Sequence, residues 1–142
     1  MTAPGCAGIR VRICDDSDVV VARRRTRELA LQQGFSEVEI VALATAVTEI
    51  ARNIVVHAGT GELTFTTATD ARRRGVIVTA LDAGPGIAHV EQAMQDGFST
   101  TRSLGLGLPG ARRLVDEFEI DSTVGVGTSI TLRKWGPADR NA

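Results

Sequence analysis

The pattern of hydrophobic and polar positions predicts that the chain begins with a strand and a helix. Residues 9–13 alternate apolar and charged side chains, which is the period of a half-buried strand. A helix is predicted to follow, with Ser17 or Asp18 as its N-cap. Gly34 is well placed as the C-terminal stop of this helix.

A second, longer helix is predicted from the segment that follows. Ser36-Glu-Val-Glu39 has the form of a capping box, in which a serine and a glutamate three positions later bind each other's backbone N–H groups. The helical pattern continues to about Ala58, and Gly59-Thr-Gly61 ends it. Its apolar residues recur at spacings of three and four, and they are Ile40, Leu43, Ala44, Val47, Ile50, Ala51 and Ile54.

The rest of the chain is predicted to form two pairs of strands with helices between them. The predicted elements are strands at 63–67 and 76–81 joined by a polar turn at 70–75, a short helix at 90–95, a longer helix at 109–117, and strands at 118–122 and 128–133 around a turn at 125–127. This order predicts an α+β fold in which helices cover one face of a mixed sheet.

Composition indicates one soluble domain. The 142 residues are 43% hydrophobic and 23% charged, and the net charge of -1 gives no reason to expect nucleic acid or an anionic membrane as a partner. No apolar run approaches the roughly 18 residues of a membrane span, and the N-terminus lacks the features of a secretion signal. Cys6 and Cys14 have no metal-ligand spacing, so we expect a protein of the reducing cytoplasm.

The first candidate site residues are Glu49 and Asn53, four positions apart on one face of the long predicted helix. Nearby Ala42, Thr45 and Ala46 are small and leave room for a ligand. The asparagine oxygen suits Mg²⁺, which typically takes only one or two protein oxygens, and an ionised glutamate could accept a hydroxyl proton during phosphoryl transfer. The alternative is a solvated helix face, and the glycine-rich motifs downstream favour the site.

The second candidate is Asp82, which ends the nearly all-apolar strand at 76–81 and should emerge into a cleft at the edge of the sheet. Gly84 and Gly86 permit positive φ and close approach by a flat ligand, and Pro85 stiffens the turn. A carboxylate here can accept a hydrogen bond from the exocyclic amine of adenine, which guanine does not present at that position. The alternative is an ordinary strand-ending Asp-x-Gly turn.

The third candidate is Gly105-Leu-Gly-Leu-Pro-Gly110, which matches the dinucleotide pattern G-x-G-x-x-G in letters only. That fingerprint requires a preceding strand and an acidic residue about 20 positions later, whereas residues 99–103 are polar and residues 130–132 are Ile-Thr-Leu. Pro109 is favourable in a first helical turn, and free N–H groups there suit phosphate. Triphosphate binding is therefore favoured over dinucleotide binding.

With these motifs the chain resembles the GHKL ATP-binding family, and within it the switch-protein serine/threonine kinases of the anti-sigma-factor type. The matching segments are Thr48-Glu-Ile-Ala-Arg-Asn53, Asp82-Ala-Gly-Pro-Gly-Ile87, Gln95-Asp-Gly-Phe-Ser-Thr-Thr101, Gly105-Leu-Gly-Leu-Pro-Gly-Ala-Arg-Arg-Leu114 and Val124-Gly-Val-Gly-Thr128. The resemblance implies a Bergerat fold, a two-layer α/β sandwich whose mixed, mostly antiparallel sheet is covered on one face by helices. It implies one kinase domain at residues 9–134 between flexible termini at 1–8 and 135–142.

The resemblance also implies roles for individual residues. Glu49 would be the catalytic base, Asn53 the Mg²⁺ ligand and Asp82 the residue that recognises adenine. The other cofactor-binding positions would be Gly84, Gly86, Ile87, Gly105, Leu106, Gly107, Leu108, Gly110 and Thr128, the last of them near the base. The implied cofactors are ATP and Mg²⁺.

The implied function is phosphorylation of a serine or threonine of a small STAS-domain partner in a bacterial stress-response pathway. Some members of this kind also bind and activate a downstream phosphatase. One alternative is an anti-sigma factor that sequesters a sigma subunit. A second is a nucleotide-binding scaffold without transfer activity, and the presence of both Glu49 and Asn53 argues against it.

Overall fold

The structure, a computed structural model, describes residues 8–87, Met94 and residues 107–138. Its strands form one five-stranded sheet in the order β1-β2-β3-β5-β4, and every pairing between these strands is antiparallel. The strands are β1 (Ile9–Ile13), β2 (Gly61–Asp70), β3 (Arg73–Asp82), β4 (Glu117–Thr123) and β5 (Gly127–Ala138). The predicted α+β class is confirmed, and the sheet is antiparallel throughout the described strands rather than mixed.

Three helices accompany this sheet in the described ranges, namely α1 (Asp16–Gln32), α2 (Glu37–His57) and α3 (Gly107–Arg113). The apolar stripe predicted for α2 is buried at all seven positions, from Ile40 to Ile54. Apart from Ala44, these residues pack in one core with inward-facing sheet residues such as Leu63, Phe65 and Leu132. The helix is long and apolar enough to cross a membrane by length and composition, but 56% of the relevant window is buried inside the protein, which is typical of a core helix.

The N-cap predicted for α1 is wrong by two or three residues. Asp15 caps the helix, since its carboxylate accepts hydrogen bonds from the N–H groups of Ser17 at 2.9 Å and Asp18 at 3.2 Å. Asp18 is instead the third helical residue and completes the capping box through the Asp15 N–H. The bond from the Ser17 hydroxyl and those from the backbone hold the pKa of the Asp15 carboxyl below its usual value of 3.8.

The signals at the junction of α1 and α2 are confirmed. Gly34 has a φ of +82°, the left-handed conformation that suits glycine after a helix C-terminus. Ser36 caps α2, because its Oγ accepts from the N–H of Glu39 at 3.2 Å and its own N–H donates to the Glu39 carboxylate at 2.7 Å. The predicted extent of this helix, to about Ala58, agrees with α2 and its C-cap.

The β2–β3 hairpin is longer than predicted, and its turn is shorter. The strands pair from Gly61 with Asp82 to Asp70 with Arg73, so only Ala71 and Arg72 form the turn instead of residues 70–75. The end of β2 was missed because its threonines are polar, as loop residues usually are, although threonine favours strands.

The C-terminal elements also differ in length from the predictions. The helix predicted at 109–117 is α3, which ends at Arg113, because Glu117 already pairs with Arg133 in the sheet. Strand β5 continues to Ala138, four residues beyond the predicted domain end at 134. Gly136 is buried, and a Cβ there would approach the Phe35 ring within 2.9 Å, so residues 135–138 are part of the fold and not a flexible tail.

Candidate functional site

The carboxylate of Glu49 is held between two helices. Its side chain is only 8% exposed, and its Oε1 accepts a hydrogen bond from the backbone N–H of Gly107, the first residue of α3, at 3.1 Å. Its Oε2 lies 4.0 Å from Nη1 of Arg52, which is half exposed. The carboxylate is therefore buried between a cation on its own helix and a backbone donor on the next one.

Asn53 lies one turn after Glu49 on α2 and is partly exposed. In the described ranges no group of three or more His, Cys, Asp or Glu side chains is placed to hold a metal ion. A metal at Asn53 would therefore take most of its ligands from phosphate oxygens and water, which is the usual situation of Mg²⁺ in nucleotide sites. The side-chain oxygen of Asn53 fits that ion.

The turn after β3 is closed by Asp82, whose Oδ1 accepts from the N–H of Gly84 at 2.9 Å. The predicted positive φ is present at Gly86 (+78°) but is not the reason for the glycine at position 84. A Cβ on Gly84 would lie 2.6 Å from the Cβ of Ala58, so this glycine lets the turn pack on the end of α2. A Cβ on Gly86 would lie 2.4 Å from the carbonyl oxygen of Thr123 in the β4–β5 hairpin.

The tip of the β4–β5 hairpin is hydrogen-bonded to the same turn. The N–H of Gly125 donates to the carbonyl oxygen of Pro85 at 2.9 Å, and the N–H of Ile87 donates to the Ser122 hydroxyl at 2.7 Å. The Ser122 Oγ lies 2.8 Å from Oγ1 of Thr128, which is 6% exposed. The turn, the hairpin and the predicted residue Thr128 thus form one hydrogen-bonded unit.

Asp82 and Thr128 occupy facing positions in the sheet, because they are directly paired between β3 and β5. Gly127, which immediately precedes Thr128, has a φ of +145°, and a Cβ there would lie 2.1 Å from the carbonyl oxygen of Asp82. Only glycine allows the two strands to approach this closely. The structure therefore brings the predicted adenine-recognising carboxylate and the predicted Thr128 together.

The start of α3 carries the second glycine motif. Gly107 has a φ of +66°, and Leu108, Pro109 and Gly110 are buried. The Leu108 side chain belongs to the hydrophobic core, so a contribution of this residue to nucleotide binding has to come from its backbone. Pro109 is the third residue of the helix and not its first, because α3 begins at Gly107.

Part of the predicted site lies outside the described residues. This applies to Gly105 and Leu106 and to the short helix predicted at 90–95, apart from the buried Met94. Ile87 is the last described residue before that segment, and it is half-buried against the hydrophobic core.

Two residues of the site were not found by sequence reasoning. Arg52 stands beside Glu49 with the i, i+3 spacing of two residues on one helix face, which was a usable signal. Ser122 was detectable as well, because the predicted hairpin with strands at 118–122 and 128–133 brings it opposite Thr128.

Comparison with known proteins identifies the family of the chain. Residues 14–134 match the family described as Histidine kinase-like ATPase domain. The chain is 43% identical over 125 residues to the serine/threonine-protein kinase RsbT of Bacillus subtilis, which covers 88% of this chain and 94% of RsbT. It is 32% identical over 101 residues to the anti-sigma F factor of Caldanaerobacter subterraneus, covering 68% of this chain and 71% of that protein.

Solved structures support the fold. The RsbU and RsbW domains of a Mycobacterium tuberculosis protein superpose with a TM-score of 0.64 at 20% identity. That match covers 92% of this chain but only 33% of the solved one. The mycobacterial sensor histidine kinase MprB superposes with a TM-score of 0.53 at 18% identity, covering 93% of this chain and 99% of the other. The chain belongs to the histidine kinase-like ATPase domain family, the GHKL type of domain that its motifs indicate.

Proposed function

We propose that this protein is a cytoplasmic, Mg²⁺- and ATP-dependent serine/threonine protein kinase that phosphorylates a STAS-domain partner in a bacterial stress-response pathway. The proposal is supported by the similarity to RsbT, which is named a serine/threonine-protein kinase and is matched over 94% of its length. It also includes binding and activation of a downstream phosphatase, which the same resemblance suggests.

The observation that supports the nucleotide site most is that α2 contacts both of its halves. At Glu49 the helix receives the hydrogen bond from Gly107, and at its C-cap Ala58 packs against Gly84 in the Asp82 turn. These two contacts are separated by about two and a half helical turns, or about 13 Å along the axis. An extended nucleotide would place its base at the Asp82 turn and its phosphates toward Glu49.

In this arrangement the residues of the chain have separate tasks. Asp82 accepts a hydrogen bond from the exocyclic amine of adenine, and Asn53 holds the metal through its side-chain oxygen. ATP would supply the phosphoryl group and leave as ADP, and a Mg²⁺ ion held at Asn53 would neutralise charge on the phosphates. Glu49 orients the acceptor hydroxyl and takes its proton, and its partners Arg52 and the Gly107 N–H fix the carboxylate in one orientation.

The decisive experiment mixes the protein, a candidate STAS-domain partner and ATP labelled on its γ-phosphate. An acid-stable phosphoprotein is expected, because phosphoserine and phosphothreonine survive acid that would remove phosphate from histidine. Absence of labelled partner with a protein that binds ATP would contradict the kinase proposal and leave the scaffold alternative.

The second candidate function is sequestration of a sigma subunit, and it is favoured by the 32% identity to an anti-sigma F factor. The two functions differ in their dependence on Glu49. A sigma-binding module should hold its partner equally well after Glu49→Gln, whereas a kinase should lose phosphoryl transfer. Co-purification of a sigma subunit with wild type and variant alike would favour sequestration.

A further inference from the structure

Arg52 is the cation that lies beside the proposed base. Its Nη1 is 4.0 Å from Glu49 Oε2, which is within the range of an ion pair but too long for a hydrogen bond. Half of the Arg52 side chain is exposed, and none of its N–H donors is hydrogen-bonded to another described residue. An ion pair with i, i+3 spacing on one helix stabilises that helix only weakly. The guanidinium therefore has unused donors at the edge of the proposed site.

The two carboxylate oxygens of Glu49 have different surroundings. Oε1 accepts a hydrogen bond from the Gly107 N–H at 3.1 Å, whereas Oε2 faces Arg52 and accepts no hydrogen bond from a described residue. Oε2 is therefore the oxygen that is available to take a proton from the acceptor hydroxyl. Arg52 thus stands next to the position at which that hydroxyl has to lie.

The terminal phosphate of ATP has to lie close to the same position. In the proposed reaction the acceptor hydroxyl passes its proton to Glu49, its oxygen bonds to the terminal phosphorus, and ADP leaves. The hydroxyl therefore lies between the carboxylate and the phosphate, and these two anions repel each other across it. Mg²⁺ neutralises only part of the triphosphate charge, so a cation beside Glu49 reduces this repulsion. A guanidinium suits this place because its planar fork can bind two phosphate oxygens at once.

We propose that Arg52 is a phosphate-binding residue that contacts the terminal phosphate of ATP, so that the protein distinguishes ATP from ADP at this position. This role rests on the proposed ATP-dependent kinase function and adds a residue to it. Loss of the contact should weaken ATP but not ADP, because ADP lacks the terminal phosphate. A residue that acts only by holding Glu49 would not change the two affinities in this unequal way.

The test measures dissociation constants of ADP and of a non-hydrolysable ATP analogue, both with magnesium, by calorimetry. Arg52→Gln should weaken the analogue about tenfold to hundredfold, the effect of a lost charge-assisted hydrogen bond, and leave ADP nearly unchanged. Arg52→Lys keeps the charge without the planar fork, so the analogue should bind with an intermediate affinity. Single-turnover labelling of the partner should also be slower in Arg52→Gln.

Arg10→Gln is the matched control. Arg10 also lies 4.0 Å from a carboxylate, that of Glu62, but on strand β1 at an edge of the sheet. Its replacement should change neither dissociation constant. Thermal unfolding of every variant shows whether a loss of affinity reflects a loss of fold.

A second comparison separates phosphate binding from an effect through Glu49. Arg52→Gln is also made in the Glu49→Gln background, in which no carboxylate charge remains for Arg52 to hold. If Arg52 contacts the phosphate, the loss of analogue affinity should persist in that background. If the loss disappears there, Arg52 acts only through Glu49 and the inference is wrong.

The remaining outcomes distinguish the role of Arg52 from the function on which it rests. If wild type binds neither ADP nor the analogue, the proposed function fails, and the role of Arg52 fails with it. If wild type binds both but Arg52→Gln weakens them by the same factor, the inference is overturned while the nucleotide site stands. Unchanged analogue affinity with a raised KM for the partner would overturn it as well, because Arg52 would then contact the partner and not the phosphate.

Discussion

Glu49 Oε1 accepts a hydrogen bond from the backbone N–H of Gly107 across 58 positions of sequence, at a distance of 3.1 Å. This bond joins the helix that carries the proposed base to the start of α3, which contains the second half of the second glycine motif. Both parts of the proposed phosphate-binding region are thereby fixed relative to each other by one carboxylate. The consequences of altering that carboxylate are therefore the first to test.

Glu49→Gln should separate binding from chemistry. Glutamine keeps the shape and an oxygen that can accept the Gly107 N–H, but it cannot take a proton. General-base assistance typically contributes about 10²- to 10⁴-fold in rate, so phosphoryl transfer to the partner should fall by this order while the ADP affinity stays close to wild type. Single-turnover labelling and calorimetry measure the two quantities.

The matched control for that variant is Glu62→Gln, which removes a carboxylate of β2 that only approaches Arg10 at 4.0 Å on the surface. It should change neither rate nor affinity. Equal labelling by wild type and Glu49→Gln would remove Glu49 from the mechanism and leave only the nucleotide site.

Asp82→Asn should weaken ADP binding and reduce the preference for adenine. The asparagine oxygen can still accept the N–H of Gly84, so the turn is retained, but the hydrogen bond from the adenine amine is no longer charge-assisted. Loss of about 1.5–3 kcal/mol corresponds to about a tenfold to hundredfold increase in Kd. Calorimetry with ADP measures it, and Asp121→Asn on the exposed edge strand β4 is the control.

If Asp82 recognises adenine, the wild-type protein should also discriminate between nucleotides. ATP and ADP should bind with magnesium, and GTP should bind far more weakly. Equal affinities for ATP and GTP, or tight binding of NADH, would contradict the assignment of Asp82.

Asn53→Ala should remove the magnesium dependence of ATP binding. The side-chain oxygen is the proposed protein ligand of the ion, and without it a weaker, metal-independent affinity should remain. Titrations of ATP with and without magnesium measure the difference. A variant that keeps the wild-type response to magnesium would give Asn53 a structural role only.

The signals that sequence reasoning used correctly were local ones. The capping box of Ser36 and Glu39 and the left-handed Gly34 depend on neighbouring residues alone, so both could be placed before the structure. The N-cap of α1 was placed wrongly because four consecutive residues, 15–18, are all of types that cap helices. Only the position at which the chain leaves the extended conformation, Asp15, decides between them.

The parts that could not be predicted depend on packing between distant segments. The contact of Glu49 with Gly107 arises where α2 packs against α3, and that of Gly84 with Ala58 where the end of α2 packs against the turn after β3. No spacing in the sequence specifies either contact. The sequence analysis attributed the glycines of the Asp82 turn to close approach by a ligand. In the structure, close contacts of the turn with other parts of the protein already require them. Strand β5 beyond residue 134 was missed because Pro137 and Gly136 are typical of a chain end.

Gly86→Ala should destabilise the fold more than Gly59→Ala. Both positions have positive φ, +78° and +85°, so both variants strain the backbone by about 1–2 kcal/mol. A Cβ at Gly59 meets nothing within 4 Å, whereas one at Gly86 would lie 2.4 Å from the Thr123 carbonyl oxygen. Urea unfolding of the two variants gives the difference, and equal losses of free energy would show that the turn does not depend on close contact with the hairpin.

Asp15 should make stability depend on pH in the acid range. Because hydrogen bonds, the one from Ser17 foremost, lower the pKa of its carboxyl in the folded protein, the ionised cap stabilises the fold. The contribution is fully present above the unfolded value of 3.8 and is lost as pH falls through the lower pKa of the folded state.

Asp15→Asn retains a capping side chain without the charge, so it should have a lower Tm than wild type near neutral pH. The difference should shrink once the pH falls below 3.8. Thermal unfolding of both proteins across this range measures it, with Asp16→Asn as the control for a neighbouring carboxylate outside the cap. A Tm difference that stays constant down to the lowest pH would mean that the charge of Asp15 does not contribute through this cap.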